Sequence, residues 1–248
     1  MALTSQHTIK QVVEANYLNA SVLYYFGITI DQYQDFSLEK ICAQKKIHLP
    51  SLISRLEQND QSSNQYLAIL KKDLSVVLAY LKYAHKNFIK IRLPFLSKLI
   101  ASTSIVKFSD QEKMTDLKFI FPMFVEDFIK HIYQEEDELF TYVSLLNQNK
   151  DRKTVSSGLI LKMQKFSLQK FHDKHLDEDE MMGLRELTNN YHYKNTSSLE
   201  EKILFSELRS LDHELKRHAL IENDILVPKA IEIEMHINSR LSNLASLN

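Results

Sequence analysis

Turn-forming residues are scarce in this chain. Its 248 residues include 3 glycines and 4 prolines, where average usage would supply about 17 and about 12. A sheet-rich fold needs a turn roughly every eight to twelve residues, with Gly or Asn at positive-φ positions. That class is therefore close to excluded. No G-x-G occurs, which removes Gly-rich phosphate loops and dinucleotide-binding fingerprints. A single cysteine, Cys42, rules out an internal disulfide and leaves no set of thiolate metal ligands. Charge of either sign is not in excess: 31 Lys plus Arg face 32 Asp plus Glu. Such a balance gives no general electrostatic footprint for nucleic acid or an anionic membrane. No apolar run approaches the roughly 18 residues of a membrane span. The opening residues, MALTSQHTIKQ, lack the apolar core of a secretory signal. The expectation is an all-α, cytoplasmic protein with no nucleic-acid or membrane partner.

Helical periodicity is what the chain does carry. The polar run from Gln58 to Gln65 has no period and reads as a linker over 59–66. It divides a small helical N-terminal domain, 1–58, from a larger domain, 67–248. In the first, Val12, Val13, Tyr17, Ala20 and Leu23 recur at helical spacing, and Gly27 supplies the turn after Phe26. Ser37 is a candidate N-cap without a capping box, and Pro50 opens another short helix. A unit of about 55 residues is near the lower size limit for folding alone, which suggests that it needs a partner surface. The second domain shows four periodic segments, roughly 67–104, 111–148, 154–192 and 198–243. Short polar separators between long helices imply antiparallel neighbours, the connectivity of an up-down-up-down four-helix bundle. Pro94, Pro122 and Pro228 fall inside these segments and are expected to kink or interrupt them.

Histidine is the unusual component, with 10 in the chain. Two stretches repeat one another: His131 to Phe140 and His218 to Val227 share the pattern H-x-x-x-E-x-D-x-L-[FV]. Residues i and i+4 meet on one helix face, so His131 with Glu135, and His218 with Glu222, can each bind a metal or bridge two. The spacing by itself is weakly specific, since chance predicts about one such pair here against two observed. The other segments each offer a histidine: His85, and His175 with His172 as a substitute. The steps from His85 to His131 to His175 to His218 are 46, 44 and 43 residues. Near-equal steps through antiparallel helices return to one height in a bundle. Four imidazoles and two carboxylates without thiolate suit a non-haem iron pair, with manganese or zinc as weaker choices. If both glutamates bridge, an oxo or hydroxo bridge leaves each ion a position for a diatomic ligand. Ferritin-like bundles use Glu-x-x-His motifs, and none occurs at these positions. The acidic run Asp177–Glu180 reads as a solvated helix face, and Tyr133 points away from the His131–Glu135 face.

These residues bring a resemblance with them. The larger domain resembles the hemerythrin-like bundle, and the chain from Thr8 to Ala230 resembles the bacterial iron–sulfur cluster repair di-iron proteins. The match rests on Tyr83-Ala84-His85, on His131 with Glu135, on His175, and on His218 with Glu222-Asn223-Asp224-Ile225-Leu226-Val227-Pro228. In the N-terminal part, Ala20-Ser-Val-Leu-Tyr-Tyr-Phe-Gly27-Ile28 and Leu38-Glu-Lys-Ile-Cys42 match the family's stretches. Where the family carries a Cys-Cys pair followed by glycines, this chain has Asp31-Gln32. Cys42 reads as a buried small hydrophobe and not as a replacement.

The resemblance implies iron ligands at His85, His131, Glu135, His175, His218 and Glu222, holding two non-haem iron ions with an oxo or hydroxo bridge. It implies nitric oxide or oxygen as the gas ligand, damaged iron–sulfur proteins as partners, and a role in nitrosative or oxidative stress. A second copy of the chain is a further candidate partner. An alternative keeps the iron and makes the chain an oxygen or nitric oxide sensor without repair activity. A third reading is a helical scaffold with incidental histidines.

Overall fold

The computed structural model describes residues 3–58, 65–175 and 179–245, so the linker expected over 59–66 lies, but for its last two positions, outside the described residues. Helices α1 (Ile9–Ala15), α2 (Asn19–Tyr25), α3 (Ile30–Tyr33), α4 (Leu38–Lys45) and α5 (Leu49–Gln58) come first. α6 (Gln65–Leu70), α7 (Leu74–Asn87), α8 (Leu93–Ser102), α9 (Gln111–Glu135) and α10 (Thr141–Asn149) follow. The chain ends with α11 (Ser157–Lys165), α12 (Leu168–His175), α13 (Met182–Leu187), α14 (Leu199–Ile221) and α15 (Val227–Ala245). The described residues contain no strand, only an isolated bridge between Thr8 and Ser37. The fold is an all-α helical bundle, as the shortage of turn residues required. No helix among the described residues is long and apolar enough to cross a membrane.

Local chemistry accounts for the N-terminal helix ends. Thr8 and Gln11 form a reciprocal capping box on α1. Ser37 Oγ accepts from the Lys40 N–H and caps α4 without a box. Gly27, at φ +71°, closes α2. Its N–H donates to the Tyr24 carbonyl while the Ile28 N–H reaches Leu23, the paired bonds of a Schellman motif.

Three π-helical turns join successive helices end to end: Phe88–Arg92 between α7 and α8, Glu136–Phe140 between α9 and α10, and Glu222–Leu226 between α14 and α15. The wide turns are visible in the bonding. The Thr141 N–H reaches back five residues to Glu136, and Val227 reaches five back to Glu222. Pro94 and Pro228 each follow a π turn, at the second position of α8 and α15. A proline there donates nothing to the carbonyl four residues back, so the ladder widens instead of breaking. Pro122 lies inside the continuous helix α9.

The third periodic segment departs from expectation. Instead of one long helix over 154–192, the described residues form α11, α12 and α13. Phe166 leaves α11 in an extended conformation, and Ser167 restarts the chain by accepting from the Lys170 N–H. Asn189, Asn190 and Tyr191 all have positive φ, which ends the helical path before α14.

By packing, the chain forms two compact units, each gathered from separated stretches. The first draws on Met1–Asn64, Phe88–Met123 and Met181–His213. One of its cores unites Ile9, Val12, Leu23, Ile28, Leu38, Ile41 and Leu52 with Phe95 and Ile203. The N-terminal helices therefore share their apolar face with side chains from α8 and α14. This unit also buries ion pairs: Arg92 Nη1 lies 2.6 Å from Glu207 Oε2, and Arg185 grips both carboxylate oxygens of Asp212.

The second unit draws on Gln65–Asn87, Phe124–Glu180 and Glu214–Asn248. Here α10 packs on α7, α11 and α15, and α12 packs on α15. Val77, Leu81, Leu139, Phe140, Tyr142, Val143, Leu146, Ile221 and Leu226 fill its core. Burying each such side chain contributes roughly 1.5–3 kcal/mol.

Removing one partner of a buried ion pair leaves the other charge uncompensated. Glu207→Ala is accordingly expected to cost about 3–5 kcal/mol in urea denaturation. Glu126→Ala, which breaks an exposed pair with Lys130 at 2.7 Å, should leave the midpoint unchanged.

Candidate metal centre

The two sequence repeats are structural repeats. Each places its histidine near the end of a long helix and its glutamate at the junction with a π turn. Glu135 ends α9, and Glu222 opens the turn that follows α14. The extra residue of a π turn brings position i+5, not i+4, above position i. In the first repeat this carries Phe140 over the site, where its ring stacks on His85 with centroids 5.0 Å apart. The shared Leu and Phe/Val positions are buried, whereas the shared Asp137 and Asp224 are exposed.

His85, His131, Glu135, His175, His218 and Glu222 all line one cavity of about 40 Å³ within the second unit. That space suits an ion or a water-sized ligand, not an organic substrate. Phe128, Ile132, Glu180, Leu215, Ala219 and Asn223 complete its wall. His175 faces the cavity and His172 is not among its walls, which selects between the two candidates on α12.

Two of the rings are oriented from behind. His85 Nδ1 lies 2.9 Å from Glu136 Oε1, and His175 Nδ1 lies 2.7 Å from the Phe171 carbonyl, four residues back on α12. With Nδ1–H donated in each case, Nε2 keeps its lone pair as a ligand atom. His85 Nε2 is 3.0 Å from His218 Nε2 and 3.1 Å from Glu135 Oε2. His218 Nε2 lies 3.7 Å from Glu222 Oε2. One ligand atom each from His85, Glu135 and His218 falls within 4.8 Å of the other two. Donors held at about 2.1 Å by one ion stand about 3.0 Å apart at a right angle and about 3.4 Å at the tetrahedral angle. The set therefore fits an ion.

On the other side, the His131 and His175 ring centroids are 5.9 Å apart. His131 Nε2 is 3.4 Å from Glu180 Oε1.

The cavity disfavours the charged form of its own groups. Burial drives the His218 imidazole well below its ordinary range, helped by the neighbouring His85 and His131. Burial also lowers His85, against the opposing pull of the Glu136 hydrogen bond and charge. Glu222 is pushed well above the usual carboxylate range, first by burial, then by the charge of Glu135 and a hydrogen bond with it.

Two contributors went unread in the sequence. Glu136 looks like one more acid beside Glu135, and only the fold aims it at His85. Glu180 belongs to the acidic run that reads as a solvated helix face, and only the fold sets it against His131.

The pH dependence of the metal-free protein follows from these directions. The unfolded chain protonates histidine near 6.5, above the folded values of His85 and His218, so their contribution is present above that pH and lost on acidification. Glu222 acts oppositely: its neutral form stabilises the fold in acid, and that contribution is lost as pH rises from about 4.5 towards its folded value. In urea titrations after chelator treatment, His218→Gln should flatten the acid-side loss and Glu222→Gln the loss on raising pH. Unchanged slopes in both variants would refute the assignment.

No family model matches the chain. It is similar, at 18% identity over 228 residues, to a curated protein of Staphylococcus haemolyticus (strain JCSC1435) described as iron-sulfur cluster repair protein ScdA. The match covers 92% of this chain and 99% of that protein. A weak likeness of such length supports a distant relationship to iron–sulfur cluster repair proteins.

Proposed function

We propose that the chain is a non-haem di-iron protein that acts in the repair of iron–sulfur clusters under nitrosative or oxidative stress. The observation that carries this reading is the convergence of four imidazoles and two carboxylates on one small buried cavity. The near-full-length likeness to a cluster repair protein supports it. A nitrogen and carboxylate donor set suits non-haem iron, and Cys42, the chain's single thiol, lies buried in the N-terminal core.

Two iron ions would supply Lewis-acid and redox chemistry towards a diatomic ligand such as nitric oxide or oxygen. The protein's part is positioning. Glu136 and the Phe171 carbonyl fix the ring orientations of His85 and His175. Glu222 lies beside Glu135, His85 and His131 and would be one of the carboxylates that hold the ions. Phe128, Ile132 and Leu215 wall the cavity and limit the size of what can enter.

Purified from iron-rich medium, the chain is expected to carry about two irons. His131→Ala and His218→Ala should each reduce that content, while Tyr133→Ala, at an exposed position of α9, should not. Less than one iron in the unaltered chain would overturn the proposal.

One observation favours gas sensing without repair. Asp31 and Gln32, which stand where related proteins carry paired thiols, are exposed, and Cys42 is buried. A reversible spectral change on nitric oxide titration, with no reactivation of an oxidised cluster enzyme, supports sensing. Reactivation supports repair.

A further inference from the structure

We infer that Glu180 is a seventh protein ligand, the carboxylate donor to the ion held by His131 and His175. The inference rests on the di-iron reading above and adds a residue to it.

The donors around the cavity fall into two groups. His85, Glu135 and His218 lie close enough together for one ion. The second group is His131, His175 and Glu180, lining the same cavity. The 3.4 Å between His131 Nε2 and Glu180 Oε1 equals the tetrahedral spacing of about 3.4 Å for two donors on one ion.

Charge argues the same way. Glu135 lies 3.1 Å from His85 and Glu222 3.7 Å from His218. Glu180 brings a further carboxylate 3.4 Å from His131. Two divalent ions bring four positive charges to a buried site, and two carboxylates cancel half of them. A third carboxylate reduces the charge left without compensation in a low-dielectric interior.

The two groups also differ in exposure. The His85 side chain is 1% exposed, whereas those of His131 and Glu180 are 24% and 29% exposed. Glu180 therefore closes the more accessible side of the cavity. Its position in sequence fits this role. His131 and His218 each find a carboxylate four residues on along a helix. His175 ends α12, so its carboxylate comes from the chain beyond, five residues on.

The test is anaerobic equilibrium dialysis of the full chain, stripped with chelator, against iron(II), with total metal analysis. The unaltered protein should bind two ions. Glu180→Gln should keep one tight site and bind the second at least about tenfold more weakly, and His175→Ala should lose the same site. Glu180→Asp, which keeps the charge, should restore part of the affinity. Two ions bound to Glu180→Gln with unaltered affinity would overturn the role of Glu180 and leave the di-iron reading standing. An unaltered chain that binds fewer than two ions would overturn the di-iron reading and this inference together. Circular dichroism of the metal-free variants reports folding. If Glu180→Gln does not fold, Glu180→Asp carries the test: weaker second-site binding supports the role, and equal binding overturns it.

Discussion

The Glu222 carboxyl is buried beside that of Glu135, and the rest of the site depends on how that pair is accommodated. Two buried carboxyl groups in contact cannot both ionise without a nearby positive charge. Elsewhere in the chain such a charge is built in, as Arg92 for Glu207 and Arg185 for Asp212. Among the described residues lining the cavity there is no lysine or arginine, and burial lowers the pKa of His85 and His218. Without a cation, the pair is accommodated by the raised pKa of Glu222, whose neutral form burial and the neighbouring Glu135 charge favour.

Two π turns set the side chains around the cavity. A regular α-helix carrying His131 and Glu135 would continue its apolar stripe without a phase change. The π turn after Glu135 inserts one residue and advances the following side chains by about 100°. Phe140 then lies against His85 while Leu139 stays in the core. The same device follows Glu222. π turns recur at functional sites because they re-aim side chains without breaking a helix. Here they let one continuous helical path serve both a ligand set and a hydrophobic core.

Much of this was readable from residue order. Scarcity of Gly and Pro gave the class, and the paired H-x-x-x-E repeats with evenly stepped histidines marked six of the residues that line the cavity. What escaped did so for physical reasons. Periodicity cannot reveal that Phe166 adopts an extended conformation, so helical spacing over 154–192 implies one helix where the described residues form three. Pro94 and Pro228 imply a kink or interruption, but a proline's effect depends on whether the preceding turn can widen. Glu136 and Glu180 carry no signal of their own. Each acquires a role only through a neighbour from a distant part of the chain, Glu136 through His85 and Glu180 through His131.

The shared core of the first unit has a consequence for synthesis. Ile9, Val12, Leu23 and Leu52 meet Phe95 and Ile203 in one apolar cluster. Residues 9–56 thus emerge from the ribosome long before the last side chain that covers them. A short segment near the size limit for independent folding must wait, its greasy face uncovered, while most of the polypeptide is still being made. Closing contacts across so long a stretch is slow, and exposed apolar surface in the interval invites aggregation. The amino-terminal helices therefore complete their core only once Ile203 has been made.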